Sequence, residues 1–277
     1  MRLTILTIAT ALTSLVAGNP FPHKTRNTLT PAPFTPATNT TSPPVSFGAI
    51  VFRAMDMLDI FGPLDALQLV AHNRHLNLHL IAATLDPVTT APQGAGTNAY
   101  NSSFWPTIQP TATFDDALDL DVLIVPGGPG IRYPGLEPIV EYVKRYYPKV
   151  KYLITICTGA SFAAKAGVLD GKSATTNKAA WKLITAMAPD AEWVSPARYV
   201  ADGNVWSSSG DTRVRRERVL ICEIQVTSGL DLIIAFIKEV YGEELATKVS
   251  RIMEYVPNAA DWDPFADING VEPTNSY

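Results

Sequence analysis

From about residue 46 onward, apolar positions follow two alternating rhythms. VSFGAIVFR (45–53) is a short run of β-forming residues, and in the GPLDALQLVAHN downstream Leu64, Leu67 and Val70 fall at helical spacing, so a strand is expected to feed a helix. LNLHLIAATL places Leu76, Leu78 and Leu80 two apart before turning wholly apolar, as a strand would. DVLIVPGG is a continuous apolar run closed by glycines, the pattern of a central parallel strand covered on both faces. EPIVEYVKRYY sets Ile139, Val140, Val143 and Tyr146 on one side of a helix. KYLITIC is a further buried strand, and TGASFAAKAGVL an alanine-rich helix stopped at Gly167. Two more helices close the pattern: SGLDLIIAFIKEVYG, with Ser228 as its cap and Gly242 at its end, and EELATKVSRIMEYV. Strands and helices alternating at such intervals predict an α/β domain over 46–256, built on a doubly wound, mostly parallel sheet with helices on both faces. The polar tail, 257–277, is expected to wrap the surface.

The segment before residue 46 has neither rhythm. Residues 1–18 combine one Arg, an apolar stretch and small residues at Ala17 and Gly18, which predicts a cleaved secretory signal and a secreted chain with no membrane attachment after cleavage. Residues 19–45 are rich in Pro, Thr and Asn and poor in large apolar side chains, so a disordered linker is expected. Two sequons, at Asn39 and Asn101, fit that route as glycosylation sites.

Composition narrows the function. The chain of 277 residues is 47% hydrophobic and 17% charged, enough for a large core. Its net charge is −4 and its only basic cluster is RVRRER, so no surface for tracking phosphates is expected, and nucleic acid is not an expected partner. With only Cys157 and Cys222, a disulfide scaffold is not expected, although one bridge between them would disable thiol chemistry. The four histidines all precede residue 80. His72 and His75 near a helix end are expected at the surface, so no metal is anticipated.

Open α/β sheets bind ligands at the carboxyl ends of their strands, and three such ends carry chemistry. The run ending at Cys157 passes directly into small residues that open a helix. Such a sharp turn exposes a side chain and aims helix N-terminal N–H groups at it, favouring a thiolate nucleophile over a merely buried cysteine. The preceding strand ends in PGGPG, where Gly127 and Gly128 could offer N–H groups as an oxyanion hole together with that of Thr158. The first strand leads to AMDMLDIFGPLDAL, in which Asp59 is positioned to reach the thiol as a proton donor. Alternatively Asp59 caps a helix beginning near Pro63, and Asp56 and Asp65 compete for its role.

LDIFGPLDAL, DVLIVPGGPG, ITICTGASFAAKAGVLDGKSATTN and VTSGLDLIIAFI together resemble, in order, the motifs of the ThiJ/PfpI superfamily, relatives of class I glutamine amidotransferase domains. The resemblance implies a flavodoxin-like fold, a homodimer and an elbow cysteine at Cys157. Asp in the first motif and Cys-Thr-Gly at the elbow look like the isonitrile hydratase branch, which implies catalytic Asp59, Cys157 and Thr158, a small-molecule substrate and hydration of an isonitrile to a formamide with no cofactor. A glyoxalase-like hydratase and a non-catalytic ligand-binding or redox-sensing module are the alternatives.

Two departures stand out. Where many hydratase-like members carry histidine, this chain reads ATTNKAAW, putting Asn177 at that position among the substrate-binding candidates and leaving no downstream histidine as general base. Residues 211–225, DTRVRRERVLICEIQ, interrupt an otherwise continuous motif and suggest a retained intron, or else a surface loop.

Overall fold

A computed structural model of the protein describes residues 34–36, 42–94, 96–210 and 227–274. The expected signal, the Asn39 sequon, Cys222 and the 211–225 insertion lie outside the described residues.

The main sheet has eight strands in the spatial order β1-β11-β12-β8-β7-β2-β3-β6. Its strands are β1 (Phe34–Pro36), β2 (Ser46–Ile50), β3 (Asn77–Ala82), β6 (Ala112–Thr113), β7 (Val122–Val125), β8 (Tyr152–Ile156), β11 (Tyr199–Gly203) and β12 (Val205–Ser208). Two small ribbons stand apart, β4 (Val88–Thr89) with β5 (Thr107–Ile108) and β9 (Ser173–Ala174) with β10 (Glu192–Trp193). Within the main sheet every pairing is parallel except β11 with β12, as expected. The central β7 and β8 are buried along their whole length, which is why their sequences are continuous apolar runs rather than alternating ones.

The helices are α1 (Met57–Ala71), α2 (Glu137–Tyr146), α3 (Ala160–Lys165), α4 (Trp181–Thr185), α5 (Thr227–Tyr241), α6 (Glu243–Ile252) and α7 (Pro264–Ile268). The chain winds from β2 through α1 to β3 in one direction along the sheet and from β7 through α2 to β8 in the other. Right-handed crossovers of opposite direction put α1 and α2 on opposite faces. Accordingly α1 packs with α5 and α6, and α2 with α3. The reversal falls between β2 and β7, and the crevice outside the carboxyl ends at such a switch point is where open α/β sheets hold ligands.

Four expectations need correction. The tract 19–45 is not structureless throughout: Phe34–Pro36 adds a parallel strand to β11, and Pro44 is buried, its carbonyl accepting a 2.6 Å bond from the Tyr241 hydroxyl. An extended Pro-containing segment suits a sheet edge, where a missing N–H can face away from the ladder. The first helix begins at Met57, not near Pro63, with Pro63 inside it. Ser228 does not mark the start of α5 from outside; it lies in the first turn, and its hydroxyl accepts a 2.8 Å bond from Ser209. The polar tail does more than wrap the surface, since Phe265 and Ala266 are buried and Asp263 caps α7, its carboxylate accepting from the Phe265 N–H at 3.0 Å.

Candidate active site

Cys157 follows the last residue of β8 and has φ +60, a left-handed conformation that a non-glycine residue adopts only when its surroundings enforce it. The surroundings here are packed backbone. Register pairs Val125 of β7 with Thr155 and Ser208 of β12 with Ile156, so the chain following each neighbouring strand arrives level with the cysteine. On the β12 side a Cβ on Gly210, itself at φ +76, would stand 2.2 Å from Cys157 Cβ. On the β7 side a Cβ on Gly127 would stand 2.5 Å from the Thr158 nitrogen. Only glycine fits at either place. The turn continues as a single 3-10 turn, Cys157–Gly159, into α3.

The other parts come from the switch point. Asp59, fully buried in the first turn of α1, accepts a 3.0 Å bond from the Gly127 N–H. A carboxylate oxygen from each of Asp56 and Asp59 and the sulfur of Cys157 all lie within 4.8 Å of one another. Asp59 and Cys157 are buried, whereas Asp56 is partly exposed. Two carboxylates and a thiol in this spacing are close enough for one metal ion to be gripped between them.

Thr158 and the glycines are arranged differently from the expected oxyanion hole. The Gly128 N–H donates to Thr158 Oγ1 at 2.9 Å, and the Gly127 N–H is taken by Asp59. Both amides therefore tie the PGGPG turn to the elbow and the acid, with the Thr158 hydroxyl as part of that tie. The turn is fixed further by the Gly127 carbonyl, which accepts from the Asp56 N–H at 3.0 Å.

Asn177 touches the sulfur directly. Its Oδ1 accepts from the Ala180 N–H at 3.0 Å, which fixes the amide's orientation and turns Nδ2 toward Cys157 Sγ, 3.4 Å away. An N–H donor in that place favours the thiolate. Its neighbour Thr176 donates from Oγ1 to the Cys157 carbonyl at 3.0 Å, so consecutive residues grip the cysteine at backbone and side chain. Asp65 lies six residues beyond Asp59, away from this group, on the wall of an apolar groove of about 720 Å³ lined also by Leu58, Phe61 and Leu230. Asn101 is exposed. His72 and His75 are exposed as expected.

Sequence reasoning brought Asp59, Cys157, Thr158 and Asn177 to one place but did not separate the role of Asp56 or identify Thr176 and Gly210. For Thr176 the signal was present in ATTN, directly beside Asn177. For Gly210 it was the last letter of SSSG, whose meaning depends on a strand register that the sequence does not state.

A profile of the DJ-1/PfpI family matches residues 49–216. Among curated proteins, isonitrile hydratase of Pseudomonas putida is 29% identical over 217 residues, covering 77% of this chain and 79% of that protein. The HTH-type transcriptional regulator GbdR of Pseudomonas aeruginosa is 25% identical over 189 residues, 63% of this chain but 47% of the regulator. Among solved structures, a ThiJ/PfpI family protein from Pseudomonas syringae superposes with a TM-score of 0.59 at 23% identity, covering 86% of this chain and 84% of that one.

Proposed function

Given that the chain belongs to the DJ-1/PfpI family, we propose that it is a hydratase acting on a small isonitrile, with Cys157 as nucleophile and Asp59 as acid. The observation that carries this reading is the approach of the Asp59 carboxyl to the Cys157 sulfur at the switch point. The similarity to isonitrile hydratase over more than three quarters of both chains supports it.

The chemistry needs one proton donor and one nucleophile in contact with the same carbon. Asp59 gives its proton to the isonitrile carbon as the Cys157 thiolate bonds to that carbon, and the carbon–nitrogen triple bond becomes the double bond of a thioimidate. Water then adds across that double bond, hydroxyl to carbon and proton to nitrogen. Collapse of the adduct breaks the carbon–sulfur bond, returns the thiolate and delivers the hydroxyl proton to Asp59. The sum is isonitrile plus water giving an N-substituted formamide, with the enzyme restored. Asn177 stabilises the thiolate at both ends of the cycle, and partly exposed Asp56 exchanges protons with solvent.

The test is incubation of the purified protein with a simple alkyl isonitrile, following formamide by NMR. Wild type is expected to turn over, Cys157→Ala to lose activity altogether, and Asp59→Asn to fall by at least about a hundredfold, as loss of a general acid does. No formamide from a folded wild type, or undiminished turnover in Cys157→Ala, would end the proposal.

A further inference from the structure

Lys178 is buried and belongs to none of the steps above. Its ammonium donates to Thr175 Oγ1 at 2.9 Å, to the Ala197 carbonyl at 2.9 Å and to the Thr176 carbonyl at 3.2 Å, which uses its three protons. The counter-charge comes from the C-terminal tail, where Asp263 Oδ2 lies 3.6 Å away at 2% side-chain exposure, and the Trp181 ring lies 5.1 Å from the ammonium. Asp263 is itself pinned: its N–H donates to the Pro196 carbonyl at 2.6 Å, and three residues earlier the Ala260 carbonyl accepts from the Arg198 N–H at 2.7 Å.

Of the groups Lys178 bonds, Thr176 touches the cysteine, and Asn177 is the single residue between Thr176 and Lys178. Thr176 bonds the Cys157 carbonyl and Asn177 bonds its sulfur. Burying an ammonium and a carboxylate together is a weak way to stabilise a fold, since apolar residues of the same volume often do as well. The pair gains a purpose if it fixes geometry. We propose that Lys178 is a positioning residue, locked by Asp263 of the tail, that holds the Thr176–Asn177 segment so that the Asn177 amide stays on the Cys157 sulfur. The C-terminal tail is thereby a working part of the site.

This rests on Cys157 being the reactive group but not on the identity of the substrate. The test therefore reads thiol reactivity: the rate of alkylation by iodoacetamide at neutral pH, alongside thermal melting and circular dichroism. Lys178→Met and Asp263→Asn are each expected to slow alkylation, the former by about fivefold to tenfold, the net worth of an ordinary hydrogen bond. Asn177→Ala is expected to slow it as much, and adding Lys178→Met to Asn177→Ala to slow it little further. A purely structural role would lower the melting temperature and leave alkylation of the folded protein unchanged. Wild-type alkylation in the folded variants would overturn the proposal, and so would losses that multiply in the double variant. Should Lys178→Met fail to fold, Asp263→Asn alone decides. Failure of isonitrile turnover leaves these rates readable, so the two proposals fall separately.

Discussion

At the scale of single residues, Asn177 bears directly on the chemistry of Cys157. Its carboxamide is held by the Ala180 N–H, and its free end meets the sulfur. Asn177→Asp keeps the shape and the bond to Ala180 while replacing a donor with a negative charge. A like charge beside the thiol disfavours thiolate, so alkylation at neutral pH should slow by roughly tenfold, one unit of thiol pKa, with the melting temperature little changed. A pH profile of alkylation checks this, and an unmoved midpoint would mean that Asn177 does not govern the thiol. Cys157 and Thr158 were legible because they sit where an apolar run stops, and a strand end is visible in sequence; Asp59 was legible only as the carboxylate following the first strand, in the LDIFGPLDAL motif. The bonding of Gly127 and Gly128 was not legible. A glycine announces backbone freedom but not where its N–H points, and here both point inward to Asp59 and Thr158.

At the scale of elements, a doubly wound, mostly parallel sheet could be anticipated from alternation, but the start of α1 could not. Pro63 and Gly62 look like a helix boundary, and local preference places it there. The structure starts the helix six residues earlier because Asp59, Ile60 and Gly62 are buried against the rest of the fold, and tertiary packing outweighs the lost hydrogen bond at proline. The two sides of the 211–225 insertion show the same dominance of packing. Ser209 donates to Ser228 at 2.8 Å, and Arg198 Nη2 donates to Thr227 at 2.8 Å while its Nε donates to Asp231 at 2.7 Å. Asp231 Oδ1 also accepts from the Tyr255 hydroxyl at 2.6 Å and the Asn258 N–H at 2.8 Å. The flanks are thus joined independently of what connects them. Deleting 211–225 leaves three residues between Ser209 and Ser228, enough to span hydroxyls already in contact, and a shorter connection carries less closure entropy. The deletion protein is expected to fold, to melt no lower than wild type and to alkylate at the same rate. A lower melting temperature or slower alkylation would show that these residues are needed.

At the scale of the whole molecule, the perturbed groups set how stability follows pH, each with its own sign. Asp121 is held below its usual range: burial pushes it up, but the Val45 and Ser46 N–H groups and Lys151 outweigh that. Asp116 is lowered by the backbone N–H and hydroxyl of Thr113. A carboxyl depressed in the folded state contributes stability above its unfolded value and loses it as pH falls, so acid destabilises through both. Lys178 works in the alkaline range. Burial pulls it from 10.5 to about 8, opposed by Asp263 and assisted by the charge of Arg198. Between those values the unfolded chain holds a proton that the folded chain has released, so stability rises with pH through that window and is lost as pH falls through about 8. The buried tyrosines act oppositely. Burial pushes Tyr199 up to about 12 and raises Tyr142, Tyr241 and Tyr255 as well, so their contribution is complete below 10.0 and is lost as pH climbs past it. Stability should therefore rise a second time above pH 8 and turn over near 10, where the tyrosines of the unfolded chain begin to ionise. Urea unfolding across this range tests the assignment, with Lys178→Met expected to abolish the second rise while leaving the turnover. The same rise in Lys178→Met would assign it to another group, and a flat wild-type profile would mean that the folded protein keeps the Lys178 proton, with Asp263 compensating burial in full.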